Sequence, residues 1–417
     1  MNENRKMTPF AQGNAPAPLP GGDRAALERK NAALEGREAV PAGNGPTLSG
    51  QLPNLGLRSA LRRMKPYTRE NLLTYLGVAA AFLVMSFLRS RGMLSRSLTG
   101  QLIPICCYMS MAVSLNLTVG ILGELSLGHA GFMSVGAFSG IVAAMSLQYA
   151  IPSAPLRLLA AMLVGAVFAA LTGALVGTPV LRLQGDYLAI VTLAFGEIIK
   201  ELVNCLIVGA DKNGLHMAFN LTGNQTVDSL HLADGGIAII KGAQGAVGTS
   251  TIATFNAGFL LVMATLFVVL NLKYSRAGRA IMALRDNPIA AESVGLNLTK
   301  YKMMAFVTSA SLAGAAGALY GLNYSSLQAT KFNFNTSILV LVFVVLGGLG
   351  NIWGSLIAAA LLTVLPELSR AFGDYRMLVY AIVLILVMLA TNNPQIKALP
   401  DRLRKRFRRN GGKKEAV

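Results

Sequence analysis

The stretch Lys273–Lys302 has the sequence KYSRAGRAIMALRDNPIAAESVGLNLTKYK and lies between two long apolar runs. Short basic loops between apolar spans normally stay on the cytoplasmic side of a membrane. Apolar residues recur within this stretch at helical spacing: Ile281, Leu284, Ile289 and Ala291. Pro288 predicts the start of a second helix, because proline is favoured in the first helical turn. The stretch therefore predicts two short amphipathic helices on the cytoplasmic face, placed to contact either a soluble partner or the lipid surface.

The rest of the chain has the composition of a membrane protein. Of its 417 residues, 53% are hydrophobic and 13% are charged, whereas a soluble domain has roughly a quarter charged residues. The apolar residues form blocks close to the length of a membrane-spanning helix. We therefore predict an all-α polytopic membrane protein with about nine or ten transmembrane segments. The predicted spans are Leu72–Leu88, Leu102–Leu122, Gly131–Leu147, Leu156–Val176, Tyr187–Val208, Phe255–Leu272, Met303–Leu322, the stretch Ile338–Leu365, and Met377–Thr391.

The two ends of the chain are basic and have few apolar runs. Residues 1–66 contain eight of the sixteen prolines, a composition that cannot bury a core. We predict a disordered cytoplasmic tail over 1–70, a transmembrane domain over 71–395 that includes the 273–302 loop, and a basic cytoplasmic tail over 396–417. The net charge of +18 lies in flanks of apolar runs, where it favours a membrane orientation and contact with anionic lipid. No aromatic-interleaved basic groove accompanies it, so nucleic acid is not an expected partner.

The charge rule also predicts the path of the chain. If the 273–302 loop is cytoplasmic, counting the predicted spans back toward the N-terminus places the N-terminus in the cytoplasm and residues 209–254 outside the cell membrane. It also places Arg89, Arg91 and Arg96 outside, against the rule. Counting forward leaves the basic C-terminus inside only if Ile338–Leu365 is broken into two pieces by Gly347-Gly348-Leu349-Gly350-Asn351.

A comparable break lies in the first half, in ILGELSLGHAGFMSVGAF, residues 121–138. Two glycine-interrupted apolar segments at matching places in two halves are typical of inverted repeats with a site near the membrane midplane. The alternative is close helix packing, for which Gly136/Gly140, Gly173/Gly177 and Gly317/Gly321 supply small-xxx-small spacings. Both interpretations stay open on the sequence.

No catalytic, phosphate-binding or metal-binding motif is present, so we expect neither an enzyme nor a cofactor or metal. Ionisable residues in apolar runs are then the site candidates. His129 follows the first break, where a helix beginning near Ser126–Gly128 would direct free backbone N–H groups at a substrate carboxylate. Its alternative role is that of a packed, hydrogen-bonded residue. Glu197, Lys200 and Glu201 are either a structural ion pair near the interface or an ion relay.

Four segments in order resemble a known family, the permease subunits of branched-chain amino acid ABC importers of the LivM type. They are NLTVGILGELSLGHAGFMSVGAF (116–138), GTPVLRLQGDYLAIVTLAFGEIIK (177–200), GRAIMALRDNPIAAESVGLNLTKYKMMAFVTSASLAGAAGALYG (278–321) and LVFVVLGGLGNIWGSLIAAALL (341–362). The resemblance runs from Leu102 to Asn393. The chain departs from the family's pattern in VGADKNG, which retains Asn213 and Gly214, and in QATKFNFNTS and NNPQIK.

The resemblance implies a transport subunit in a bacterial inner membrane. Its implied partners are a second LivH-like permease, two ABC ATPase subunits and a periplasmic amino-acid-binding protein. In the family the loop matching Ala283–Gly295 rests on an ATPase. The residues expected to couple there are Arg285, Asp286, Ala290, Ala291, Glu292 and Gly295. The residues expected along the substrate path are Ser126, Gly128, His129, Phe132, Tyr187, Thr192, Glu197, Asn213, Gly347 and Gly348. Urea-type permeases and, more distantly, ion-coupled secondary transporters are the alternatives.

Overall fold

The computed structural model describes residues 66–368 apart from 94, 149, 184, 212–213, 221–229 and 231–235, together with isolated residues between 375 and 389. All of these residues belong to one compact unit, Met64–Val417. The predicted tails over 1–65 and 396–417 and most of the predicted span Met377–Thr391 lie outside the described residues.

Helices dominate the described part of the chain. Those in its first half are α1 (Pro66–Ser90), α2 (Arg96–Asn116, continued by a π-helical turn, Leu117–Leu122), α3 (His129–Ser146), α4 (Ala154–Val180) and α5 (Asp186–Asn204). Those in its second half are α6 (Phe255–Tyr274), α7 (Arg276–Asp286), α8 (Pro288–Ser293), α9 (Leu298–Gly321), α10 (Phe334–Gly347) and α11 (Ile352–Leu368). Residues 66–70, assigned to the tail from the sequence, are the first turns of α1.

Among the residues that the structure describes, five stretches are long and apolar enough to cross a membrane: Arg96–Leu122, His129–Ser146, Ala154–Val180, Phe255–Tyr274 and Leu298–Gly321. Three shorter helical stretches are also apolar: Thr74–Ser90, Phe334–Gly347 and Ile352–Glu367. The prediction of a helical polytopic membrane protein is confirmed. The predicted inverted repeat stays a prediction.

The centre of the molecule is a close packing of α9 against α3 and α4. Glycines make this approach possible, because a Cβ on Gly136 would overlap the backbone of Gly314 and one on Gly317 would overlap the carbonyl oxygen of Met133. Gly165 of α4 lies against the same strip, where an added Cβ would be 2.8 Å from the carbonyl oxygen of Gly136. Small residues allow helix backbones to approach in this way inside membranes. The small-xxx-small interpretation is therefore confirmed for these glycines.

A small sheet, formed by four strands between α5 and α6 and one strand after α9, was not predicted. Its strands are β1 (Leu206–Asp211), β2 (Gly214–Phe219), β3 (Ile237–Lys241), β4 (Ala246–Val247) and β5 (Ser326–Leu327), in the order β2-β1-β3-β4-β5. Neighbouring strands are antiparallel. The predicted span Tyr187–Val208 was therefore too long at its C-terminal end. Ile207 and Val208 are β-branched and pair with Ala218 and Met217 of β2, which favours a strand over a continued helix.

Candidate functional site

The first helix break separates α2 from α3. The π-helical turn ends at Gly123, whose φ of 83° is the left-handed conformation that favours glycine. The chain is then non-helical until α3 begins at His129. Gly128 packs against α5 so closely that a Cβ there would overlap the carbonyl oxygen of Thr192. The break predicted near Ser126–Gly128 is confirmed, and it is held in place by α5.

Side chains from neighbouring helices already bond to the backbone of this break. The N–H of Leu127 donates to Thr192 Oγ1 at 3.1 Å. The N–H of Ala130 donates to Ser337 Oγ at 3.2 Å, and that of Gly131 donates to the carbonyl of Gly128. These N–H groups are therefore not free in this conformation, contrary to the expectation from the sequence. A substrate carboxylate would have to replace Thr192 or Ser337 as their partner.

His129 is fully packed at the start of α3. It is 1% exposed, and its Nε2 lies 2.8 Å from Ser114 Oγ of α2. Phe132 lies edge-on to its ring. Ser309 of α9 donates to the carbonyl oxygen of Ser114 at 2.5 Å, so three helices meet at this point. Of the two interpretations of His129, this conformation shows the packed, hydrogen-bonded one.

The second break lies between α10 and α11 and confirms the prediction over 347–351. Gly348 has a φ of 91° and Gly350 a φ of 78°, both in the left-handed region. Gly347 lies against the start of α11, where a Cβ would overlap the backbone of Ser355. Such a turn requires glycine both for its φ values and for this close approach.

Asn116, at the end of α2, holds the second break against α2. Its Oδ1 accepts the N–H of Gly350 at 2.8 Å, and its Nδ2 donates to Ser355 Oγ at 2.7 Å. Asn116 is fully buried. It was absent from the predicted site, although an amide inside the apolar run Leu102–Leu122 is a signal that could have identified it, since such groups are costly in a membrane and need partners.

The 273–302 loop forms the two predicted helices, α7 and α8. Ser275 caps α7 by accepting the N–H of Gly278 at 3.0 Å, and Asn287 caps α8 by accepting that of Ala290 at 3.0 Å. Pro288 is the first residue of α8, as expected. Ile281, Leu284 and Ala291 are buried, whereas Ile289 is 80% exposed.

Basic side chains of this loop bind both breaks. Arg285 donates to the carbonyl oxygen of Gly120 at 2.6 Å, and Lys273 donates to the carbonyl oxygen of Gly350 at 3.1 Å. Lys302 forms a largely buried ion pair with Glu124, inside the first break. Arg285 was predicted from the family resemblance to couple to an ATPase. Its guanidinium bonds to the π-helical turn that leads into the first break, a contact that no sequence pattern indicated.

The charged group on α5 is an ion pair and a helix cap. Lys200 pairs with Glu197, and its Nζ lies 3.2 Å from Glu201 Oε1. Glu197 Oε1 also accepts the N–H of Phe334 at 3.0 Å, at the N-terminus of α10. These contacts agree with the structural interpretation of Glu197, Lys200 and Glu201 as an ion-pair group. The bond from Phe334 to Glu197 also links α5 to α10, the helix that leads into the second break.

The other predicted residues are placed differently. Ser126 is buried and its Oγ has no hydrogen-bond partner among the described residues, while Tyr187 is 73% exposed. Asn213 lies outside the described residues. Of the predicted coupling residues, Ala291 is buried, and the exposed ones are Arg285, Asp286, Ala290, Glu292 and Gly295. No cluster of three potential metal ligands occurs in the part of the chain that the structure describes.

The sequence of this chain was compared with those of known proteins, and it matches one protein family. Residues 98–388 match the family described as branched-chain amino acid transport system / permease component. The high-affinity branched-chain amino acid transport system permease proteins LivM of Salmonella typhimurium and of Escherichia coli K12 are each 36% identical over 302 residues, which is 70% of this chain and 69% of the relative. LivH of Salmonella typhimurium is 32% identical over 145 residues, 34% of this chain and 47% of LivH. No solved structure matches the chain.

These matches confirm that the chain is an integral membrane transport component and not an enzyme. The chain belongs to the family of branched-chain amino acid transport system permease components.

Proposed function

We propose that this chain is a permease subunit of an ABC importer that carries branched-chain or other hydrophobic amino acids across the bacterial inner membrane. The single observation that carries the mechanism is the attachment of the 273–302 loop to both helix breaks. Lys273 donates to the carbonyl oxygen of Gly350 in the second break, Arg285 donates to that of Gly120 in the π-helical turn leading into the first break, and Lys302 pairs with Glu124 inside the first break. A displacement of the loop would therefore be transmitted to both breaks together.

The outer surface of the loop is suited to a protein partner. Ile289 and Val294 are 80% and 76% exposed, and the exposed Glu292 lies between them. Exposed apolar side chains flanked by a charge are typical of a protein contact. We assign this surface to an ATPase subunit, with Asp286, Ala290, Glu292 and Gly295 at the contact and the buried Ala291 supporting α8. We propose that the loop, the N-terminus and the C-terminus all lie in the cytoplasm, as the charge rule favours.

The substrate path is proposed beside the first break. Ser126, Gly128, His129, Phe132 and Thr192 lie together there, with the second break held against the other side of α2 through Asn116. ATP-driven movement of the loop would exchange Thr192 and Ser337 for substrate as partners of the break N–H groups. Glu197 of α5 bonds to the N-terminus of α10, and Gly347 and Gly348 lie at its C-terminal end. We assign these three residues to the segment that moves during transport. Tyr187 and Asn213 are assigned to the surface shared with the second permease and to the outer loop.

The relatives support one of the proposed partners, a second permease. Similarity to both LivM and LivH supports a pair of related permeases, and we propose a LivH-like second permease. Two ABC ATPase subunits and a periplasmic amino-acid-binding protein complete the proposed importer. An aliphatic pocket distinguishes neighbouring side chains by only ~1–3 kcal/mol, so several branched-chain amino acids are expected to compete.

The direct test is uptake by the complete importer in vesicles. We expect radiolabelled leucine to accumulate only with ATP inside the vesicles and with the binding protein outside, and an ATPase-inactive partner to abolish accumulation. Unlabelled isoleucine and valine should compete, and urea should not. Accumulation of urea instead of leucine would favour the urea-type alternative. Leucine transport by this chain alone along an ion gradient would contradict the proposal and favour a relay through Glu197, Lys200 and Glu201.

A further inference from the structure

We propose a phospholipid-binding site between α1, α2, α6 and α11, with the acyl chain in an apolar groove and the headgroup phosphate at Arg89. The groove has a volume of about 720 Å³ and its lining is almost entirely apolar. Its walls include Phe82, Met85, Phe259, Trp353 and Leu361. A groove of this size and composition fits a hydrocarbon chain.

The groove continues into a polar mouth. A second cavity of about 320 Å³ is lined by Arg89, Thr99, Asn256 and their neighbours, and it shares Phe255 with the groove. Arg89 follows Phe82 and Met85 on the same face of α1, at i+7 and i+4, so its side chain extends the wall of the groove toward the helix end. The positively charged Arg89 therefore lies where the apolar wall of the groove ends.

The charge at this mouth indicates the chemistry of the occupant. Arg89 is exposed, and its guanidinium has no hydrogen bond or ion pair with any residue in the described ranges. A guanidinium at the boundary between an apolar groove and water is matched to a phosphate, which it can bind with two parallel N–H bonds. A phospholipid carries this anion and an acyl chain in the required order. A soluble anion would leave the apolar part of the site empty.

The position of the site accounts for a departure from the charge rule. The mouth lies at the N-terminal end of α6, whereas the 273–302 loop follows the C-terminal end of the same helix. In the proposed topology Arg89 therefore lies at the outer leaflet, where positive residues are not favoured by the rule. A bound phosphate gives this arginine a specific partner there. The site itself does not depend on which face the mouth occupies.

Trp353 makes the site directly measurable. It is the sole tryptophan of the chain and it lines the groove. Bromine atoms on an acyl chain quench tryptophan fluorescence on contact. The full-length chain in detergent would be titrated with phosphatidylglycerol carrying brominated acyl chains, and in parallel with a brominated diacylglycerol that lacks the phosphate. We expect quenching by the phospholipid to saturate at about one lipid per chain, at a concentration roughly tenfold below that needed with the diacylglycerol.

Variants distinguish binding of the lipid headgroup from binding of its acyl chain. Arg89→Gln should raise the half-saturating concentration of the phospholipid roughly tenfold and remove the difference between the two lipids. Arg91→Gln is the matched control, because the Arg91 guanidinium lies 5.2 Å from the centre of the Phe87 ring and does not line the mouth. Ala81→Phe, inside the groove, should weaken quenching by both lipids. Quenching that rises without saturation, equal quenching in wild type and Arg89→Gln, or no quenching because another segment or subunit fills the groove would each overturn the proposal.

Discussion

Arg285→Gln is expected to lower ATP-driven amino acid uptake by tenfold or more while the importer still assembles and hydrolyses ATP. The Arg285 guanidinium donates to the carbonyl oxygen of Gly120 at 2.6 Å, and its aliphatic part packs on Gly123, where an added Cβ would be 2.5 Å from Arg285 Cγ. A hydrogen bond from a charged group contributes about 1.5–3 kcal/mol, and each 1.4 kcal/mol is about a factor of ten. Glutamine has neither the length nor the charge to replace it. Loop movement would then no longer reach the first break.

Uptake and ATP hydrolysis should be measured on the same vesicles, with co-purification of the ATPase as the test of assembly. Arg279→Gln is the matched control, since it removes the same charge from the same helix. Within the described ranges the Arg279 guanidinium bonds only locally, to the carbonyl oxygen of Tyr274 at 3.3 Å. Normal uptake in Arg285→Gln would contradict the transmission role. Loss of ATPase binding would assign Arg285 to the subunit contact instead.

Gly136→Ala is expected to destabilise the membrane domain by about 1–3 kcal/mol or more, as overpacking does in close-packed interiors. The added Cβ would overlap the backbone of Gly314. A backbone cannot rotate away as a side chain can, so α3 and α9 would have to separate along their contact. Thermal unfolding of the purified chain and its monodisperse fraction after heating should both decrease.

Gly100→Ala provides the control for helix propensity. Gly100 lies in the first turns of α2, and a Cβ there would have no neighbouring heavy atom within 4 Å. Both substitutions gain the intrinsic preference of alanine over glycine, about 1 kcal/mol in a helix. Gly100→Ala should therefore unfold at or slightly above the wild-type temperature. Equal unfolding temperatures for the two variants would show that the α3–α9 contact tolerates a methyl group.

Features encoded by local residue chemistry could be predicted from the sequence. Glycines at 123–128 and 347–350 indicated both breaks because left-handed φ values and close backbone approach favour this residue. Pro288 and the helical spacing of Ile281 and Leu284 indicated α7 and α8. Positive charge in the C-terminal tail indicated that Ile338–Leu365 is broken into two helices, as observed.

Features that depend on tertiary contacts could not be predicted in this way. The direction of Arg285 depends on where the first break lies against α7, and its exposed neighbours Asp286 and Glu292 gave no indication of it. The sheet was missed because residues 206–211 continue an apolar helical pattern, and their partners in β3 are some thirty residues later. An amide in an apolar run could have identified Asn116 as a site candidate, but its partners, Gly350 and Ser355, are known only from the structure.

Cysteine cross-linking would show whether the 273–302 loop contacts a cytoplasmic ATPase and so connects it to both helix breaks. A cysteine at Ile289, which is 80% exposed, would be introduced with Cys205→Ser, leaving the two buried cysteines, Cys106 and Cys107. In the assembled importer we predict a cross-link between position 289 and the ATPase subunit whose yield changes when ATP is added. The proposed contact would be contradicted if a membrane-impermeant thiol reagent labelled position 289 from outside the cell. It would also be contradicted if position 289 did not cross-link to the ATPase in any nucleotide state.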